Sequence, residues 1–417
     1  MKNHITPLLL TSIAATALFA APESMENLPS NFGEDAAFLK KHTDAIVLRR
    51  GDAAVAVVPS YQARVMTSTA TGDTGKSYGW LNYKLISKGV VPPEEAKGTL
   101  EAKIHVFGGE ERFWLGPEGG QFGIFFAPGA AFDFADWKTP APIDTESFEL
   151  VSSEETQAVF ARKFSVINQS GTKFDLAVER KVRLLDRAET AQALGVDIPE
   201  NLPFVAYETV NTITNRGEKA WDADSGLLSV WILGMYKPSP STVMAIPFRE
   251  ECEGPVVNDA YFGKISADRL KVGKGVVFFK GDGASRGKIG IPPSRATPFA
   301  GSYSPDLGAL TIVRCDPVSK DGRYVNSMWE KQKDPFAGDV INAYNDGSPA
   351  PGEPPLGPFY ELETSSPAAE LAPGASLTHK QITVHFAGAP EQLDAISAAK
   401  LGAGIGEIRD AFNPSAR

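Results

Sequence analysis

The chain has 417 residues, 42% of them apolar, enough for a full core in one large domain or two ordinary ones. Its formal charge of -10 argues against a nucleic-acid or anionic-membrane surface, because phosphate binding needs clustered Lys and Arg, and it points to uncharged partners. Cys252 and Cys315 are the only cysteines, too few for a disulfide scaffold or a four-thiolate zinc site; one disulfide between them and two buried free thiols both fit.

At the start, Lys2, an apolar stretch from Ile5 to Phe19 and small residues at Ala17, Ala20 and Ala21 have the layout of a signal peptide. Residues 1–21 are therefore expected to be cleaved, and the mature protein to be secreted or periplasmic. The stretch is short and broken by Pro7, Thr11 and Ser12, which makes a membrane anchor the weaker reading. Residues 22–43 read as a polar leader draped on the domain that follows, residues 44–390, and residues 391–417 as a C-terminal helix and tail.

Within 44–390 the dominant period is two. "AAVAVVPS" and "SFELV" are short strand candidates, and "KFDLAVERKVRLL" puts Phe174, Leu176, Val178, Val182 and Leu184 on one face and Asp175, Glu179, Lys181 and Arg183 on the other. That is a half-buried antiparallel strand. Similar runs recur at "QAVFARKFSVIN", "VAYETVNTIT", "LLSVWILGMY", "GVVFFK", "ALTIVRC", "GPFYELETS" and "LTHKQITVHF". Helical signals are few: "DRAETAQALG", capped by Asp186, and "PEQLDAISAAKLGAG", starting near Pro390 and stopping at glycines. The expected fold is all-β, a sandwich of large antiparallel sheets.

"GASRG", residues 283–287, matches a nucleophile elbow around Ser285, but "KIGIPPSRA" after it cannot supply the required helix. His379 and His385 share a strand face but lie about 20 Å apart, too far for one metal, and read as polar strand residues. No metal spacing is present; a calcium ion held by scattered oxygens would leave no signature. In "FYELETSSP", Glu361 and Glu363 share one strand face about 7 Å apart, where they read equally as acid–base groups or as salt-bridge partners, for example of Arg180.

"GGEERFWLGPEGGQFGIFF", residues 108–126, combines residue types that recognise sugars: Trp114 as a stacking face, and Arg112, Glu118 and Gln121 as planar groups bridging hydroxyls. Trp80, Asn82, Trp231 and Trp329 are further candidates. The competing reading is a structural turn, with Glu118 accepting backbone N–H bonds and Trp114 filling the core.

The segment "FYELETSSPAAELAPGASLTHKQITVHF", the strand end "TITNRGEKAW" and the opening "IVLRRGDAAVAVVPSYQARVMTS" resemble the aldose 1-epimerases of the galactose mutarotase-like superfamily. With "WILGMY" and the 108–126 run, the chain is similar to a secreted subgroup of it for which the resemblance supplies a fold and no reaction. The resemblance implies a β-supersandwich with an open sugar-binding cleft. No cofactor is expected, and the reaction is open between an isomerase-type epimerisation and a lyase-type eliminative cleavage, since both begin by removing a proton at or beside an oxygen-bearing carbon. In those enzymes a glutamate takes the proton of the anomeric hydroxyl and a histidine protonates the ring oxygen. The glutamate carries over to Glu363, and Arg64 is the nearest match for a cleft residue of the first hairpin. The histidine does not carry over: "HVFGGEERFW" has Phe107 in its place, with His105 two residues earlier. Glu363 as base, assisted by His105 or Arg112, is the expected machinery; a carbohydrate-binding protein that has lost the catalytic histidines is the alternative.

Overall fold

The computed structural model describes residues 31–350 and 352–413. The expected signal peptide and residues 22–30 of the leader lie outside them. The leader's remainder forms a helix, Phe32–His42, begun by Asn31, whose side chain accepts from the Glu34 N–H at 3.0 Å. Phe32 and Leu39 anchor it on the first hairpin.

That hairpin belongs to a three-stranded sheet of Ile46–Arg50, Ala53–Val58 and Arg64–Thr69. The uninterrupted apolar run "AAVAVV" has both faces buried: Ala54, Ala56 and Val58 pack under the helix, while Val55 and Val57 join the main core.

The main body is a sandwich of two larger sheets. One has ten strands, with the long strands Ser376–Ala387, Phe204–Asn215, Lys173–Leu184 and Gln157–Ile167 side by side. The other has five, in the order Gly287–Ile291, Ile341–Asn345, Tyr360–Ser365, Ser229–Tyr236 and Arg112–Gly116. Every ladder is antiparallel. A bridge between Val65 and Glu111 joins the three-stranded sheet to the edge of the five-stranded one. The alternation read from "KFDLAVERKVRLL" holds, with Phe174, Leu176 and Val178 packed into the core between the sheets. Helix Arg187–Leu194 carries the expected Asp186 cap as a full capping box, and helix Pro390–Leu401 starts at the expected proline. Both cover the back of the ten-stranded sheet, with a further helix, Ile405–Asp410.

Between the sheets lies a polar layer. Arg180 and Glu111, both without solvent exposure, form an ion pair at 2.9 Å, and Gln381 donates to the other Glu111 oxygen at 3.1 Å. Arg180 is therefore the partner of Glu111 and not of Glu361 or Glu363. Thr364 donates to Gln381 at 2.7 Å and lies 2.8 Å from His379 Nε2. Burial pushes the His379 pKa down to about 4, so the neutral ring donates to the Thr364 hydroxyl. His385 bonds Glu110 at 2.7 Å and Thr311 at 2.9 Å. Both histidines are thus structural strand residues in the sandwich interior. These contacts fix the register of Tyr360–Ser365 over the long sheet; a slip of one residue would exchange its two faces.

Both cysteines are free thiols, with Cys315 buried and its pKa pushed up to about 12 by that burial. Ser285 lies in a loop that leads into the strand Gly287–Ile291, so no nucleophile elbow forms.

Candidate functional site

The outer face of the five-stranded sheet is the floor of a cleft of about 810 Å³. The strand register dictates what it presents. Lys288, Tyr344, Glu361 and Met235 are cross-strand neighbours in one row, and Asn342, Glu363, Leu233 and Arg112 in the next. Trp114 and Trp231 oppose each other one row further on. Period two therefore sends Glu361 and Glu363 to the cleft side, and Tyr360, Leu362 and Thr364 to the core.

The two glutamates have separate partners. Arg112 donates to Glu361 at 2.9 Å while its guanidinium lies over the Trp114 ring at 4.1 Å. Glu363 accepts from Lys288 Nζ at 3.0 Å and from the Trp231 indole N–H at 2.9 Å through one oxygen, Oε2. Its Oε1, together with Arg112 Nε and Trp114 Nε1, is buried with no hydrogen-bond partner among the described residues. Such orphaned groups are rare in native interiors and mark places where a water, an ion or a ligand completes the network.

Glu361 lines the cleft; Glu363 lies beneath, without solvent exposure. Burial pushes the Glu361 pKa up to about 7, with Arg112 opposing the rise and Glu363 adding to it. Glu118 stands on the cleft wall, half-buried, and accepts from the Trp137 indole at 3.0 Å. Burial among these rings raises its pKa, with Lys288 pulling it back and Glu363 pushing it up. Trp137 and Trp329 stack at 5.9 Å to form the same wall. The turn carrying Glu118 is pinned by Gly120, at φ +77, where a Cβ would come within 2.4 Å of Gln332.

Of the residues singled out from sequence, the cleft gathers Arg112, Trp114, Glu118, Trp231, Trp329 and Glu361, with Glu363 underneath. The rest are placed elsewhere. His105 is buried, bonded through Nδ1 to Asp144 at 3.0 Å and accepting at Nε2 from the Val91 N–H at 3.1 Å, so both ring nitrogens are committed. Arg64 donates to the Gly108 carbonyl and to Gln62, inside the protein. Asn82 caps the helix Tyr83–Lys88. Trp80 packs on Phe359, with ring centroids 5.0 Å apart. Gln121 exchanges hydrogen bonds with the Gln332 backbone at 2.9 and 3.0 Å, tying two loops together. Among the described residues no histidine lines the cleft.

Lys288, Arg286, Tyr344 and Asp346 belong to the site and were not singled out from sequence. Asp346 accepts from Tyr344 at 2.6 Å and from the Gly357 N–H at 2.8 Å, and burial raises its pKa. No group of three or more His, Cys, Asp and Glu among the described residues could hold a metal, and no helix among them is long and apolar enough to cross a membrane.

Fold and site together define an all-β sandwich protein with an aromatic cleft whose floor pairs two carboxylates with two cations. The chain belongs to the DUF6786 family of unknown function, whose sequence model matches residues 30–412. No curated protein matches it. Similar solved structures include a candidate aldose 1-epimerase from Escherichia coli K12, 12% identical, with 82% of this chain and 98% of that one covered and a TM-score of 0.44. Another is a galactose mutarotase-like protein from Lactobacillus casei, 11% identical, covering 82% and 99% with a TM-score of 0.43. At these identities the likeness concerns the fold, and the chemistry of the cleft rests on its own residues.

Proposed function

We infer that the cleft binds a mono- or oligosaccharide and moves protons on it, Glu363 acting as base and Glu361 as acid. The observation that carries this reading is the floor itself. Two buried carboxylates about 7 Å apart on one strand face are held by different cations, with Trp114 and Trp231 beside them on the floor and Trp137 and Trp329 in the wall above. Aromatic faces suit the C–H surfaces of a sugar, and the orphaned donors and acceptor of the floor suit its hydroxyls.

Lys288 and Trp231 hold Glu363 Oε2, leaving Oε1 to take a proton, while Glu361, its pKa near 7, supplies one at neutral pH. For an epimerisation, Glu363 takes the proton of the anomeric hydroxyl as Glu361 protonates the ring oxygen. The C–O ring bond breaks, and reclosure on the other face returns both protons. For an eliminative cleavage, Glu363 takes a C–H proton and Glu361 protonates the leaving oxygen. In either case Glu361 fills the acid role that a histidine has in the enzymes the sequence resembles.

A second reading, a non-catalytic carbohydrate-binding protein, is favoured by the lack of a histidine in the described cleft and by the cover over Glu363. Calorimetry against a panel of mono- and oligosaccharides, followed by proton NMR of bound sugars for anomer exchange or an unsaturated product, separates the two. Glu363→Gln is expected to keep affinity within a few-fold and to abolish turnover. Unchanged turnover refutes Glu363 as base, and binding with no turnover in the wild type selects the second reading.

A further inference from the structure

Four cations line the cleft: Lys103, Arg112, Arg286 and Lys288. Three have acceptors. Arg112 holds Glu361, Lys288 holds Glu363, and Lys103 donates to the carbonyls of Ala135 at 2.6 Å and Trp137 at 3.4 Å. Arg286 makes no hydrogen bond and no ion pair with any described residue, and its Nε is buried without a partner. The guanidinium lies over the ring of the exposed Phe262, 3.9 Å from its centroid. Its loop is fixed: Asn345 donates to the Ser285 carbonyl at 2.9 Å and accepts from the Gly283 N–H at 2.9 Å.

Asp346, the nearest acid by register, feels the Arg286 charge, which opposes the burial-driven rise of its pKa, but makes no hydrogen bond or ion-pair contact with it. Gly287 pairs with Asn345, which sets Arg286 beside Asp346, yet the Asp346 oxygens accept from Tyr344 and from the Gly357 N–H. Glu353 lines the same end and makes no ion pair with Arg286. A guanidinium placed over an aromatic ring, with its N–H groups unspent, matches a carboxylate or an ester oxyanion through two parallel hydrogen bonds. Leaving such a charge unpaired in a partly desolvated cleft is costly, and an anionic ligand group removes that cost.

Arg286 lies two strands and two residues from Glu361, about 12 Å between Cα atoms at ordinary strand spacing and rise. The length of the arginine side chain reduces this gap to about one sugar ring. We propose that the cleft takes an acidic saccharide, and that Arg286 binds the carboxylate or the sulfate or phosphate ester of the unit beside the one held over Glu361. The overall negative charge of the chain, which by itself points to neutral partners, conceals this local cation. The proposal rests on the carbohydrate reading of the same cleft and adds the substrate class to it.

The test is calorimetry of the full chain against matched pairs: a uronic-acid oligosaccharide with its carboxyl-reduced counterpart, and a sulfated oligosaccharide with its unsulfated one. The wild type is expected to prefer one acidic member by about tenfold to a hundredfold, the worth of a charge-assisted bidentate contact. The pair showing the preference identifies the anion. Arg286→Met should bring it within about threefold, and Arg286→Lys, which keeps the charge and loses the fork, should fall between. If Arg286→Met fails to fold by its unfolding midpoint, the lysine variant alone carries the comparison. Equal binding of acidic and neutral members by the wild type, or a preference that survives at Arg286→Met, overturns the proposal and leaves the carbohydrate reading standing. Binding of no saccharide in either form overturns that reading too.

Discussion

Replacing Glu361 by Gln should change how stability depends on pH, and the structure fixes the sign. Burial raises the carboxyl of Glu361 from 4.5 to about 7. Below pH about 4.5 the group is protonated both folded and unfolded and makes no pH-dependent contribution. Between about 4.5 and 7 the unfolded chain ionises while the folded protein keeps the proton, so the folded state binds more protons and stability falls as pH rises. Above about 7 the loss is complete. A shift of this size corresponds to about 3 kcal/mol.

Glu361→Gln removes this titration. Whatever fixed cost the glutamine carries, including a weaker bond to Arg112, is the same at each pH. Urea unfolding of both proteins from pH 4.5 to 8 should therefore show the variant gaining about 3 kcal/mol on the wild type across the interval, with most of the gain by pH 7. The rate or affinity for a bound sugar should titrate with a group near pH 7 in the wild type and lose that limb in the variant. Parallel stability curves would refute the claim that Glu361 is desolvated on the floor, and with it the assignment of Glu361 as an acid at neutral pH.

Two further substitutions probe the floor of the site and a residue placed outside it. Lys288→Met leaves Glu363 buried with only the Trp231 indole as partner and should cost about 3–5 kcal/mol in urea unfolding, with Lys288→Met/Glu363→Gln recovering a good part of it. A single-variant loss below about 1 kcal/mol, or no recovery in the double variant, would show that the pair is not desolvated as described. His105→Gln should lower stability by about 1–3 kcal/mol through the lost Asp144 and Val91 contacts while leaving sugar affinity within about twofold; a large loss of affinity or turnover without unfolding would return His105 to the machinery.

What the sequence disclosed follows from how each strand meets its surroundings. Strands with one face in the core and the other in water alternate cleanly, and Lys173–Leu184 and Phe204–Asn215 were readable for that reason. The strands Gly287–Ile291 and Ile341–Asn345 were not. Both are buried on each face, one side against the core and the other beneath the cleft, and "GKIGI" and "INAYN" carry only a few residues of polar–apolar rhythm. Lys288 and Arg286 were missed with them. The one available signal was that Ile289 and Ile291 alternate with Lys288 and Gly290, too short a run to separate from a loop. The pairing of Arg112 with Glu361 spans 249 positions and leaves no local spacing.

The 108–126 run was harder to read because it serves three environments in turn. Glu110 and Glu111 enter the polar layer between the sheets, Arg112 and Trp114 turn to the cleft floor, and Glu118 comes round onto its wall. The charges that disqualify it as a plain core strand are divided between structure and site. Arg180 and Gln381 hold Glu111 below, Thr364 hangs from the same Gln381, and the alternation of Tyr360–Ser365 then leaves Glu361 and Glu363 no face but the cleft. The buried polar layer is thus what aims the acids, and a substitution there should misplace both together.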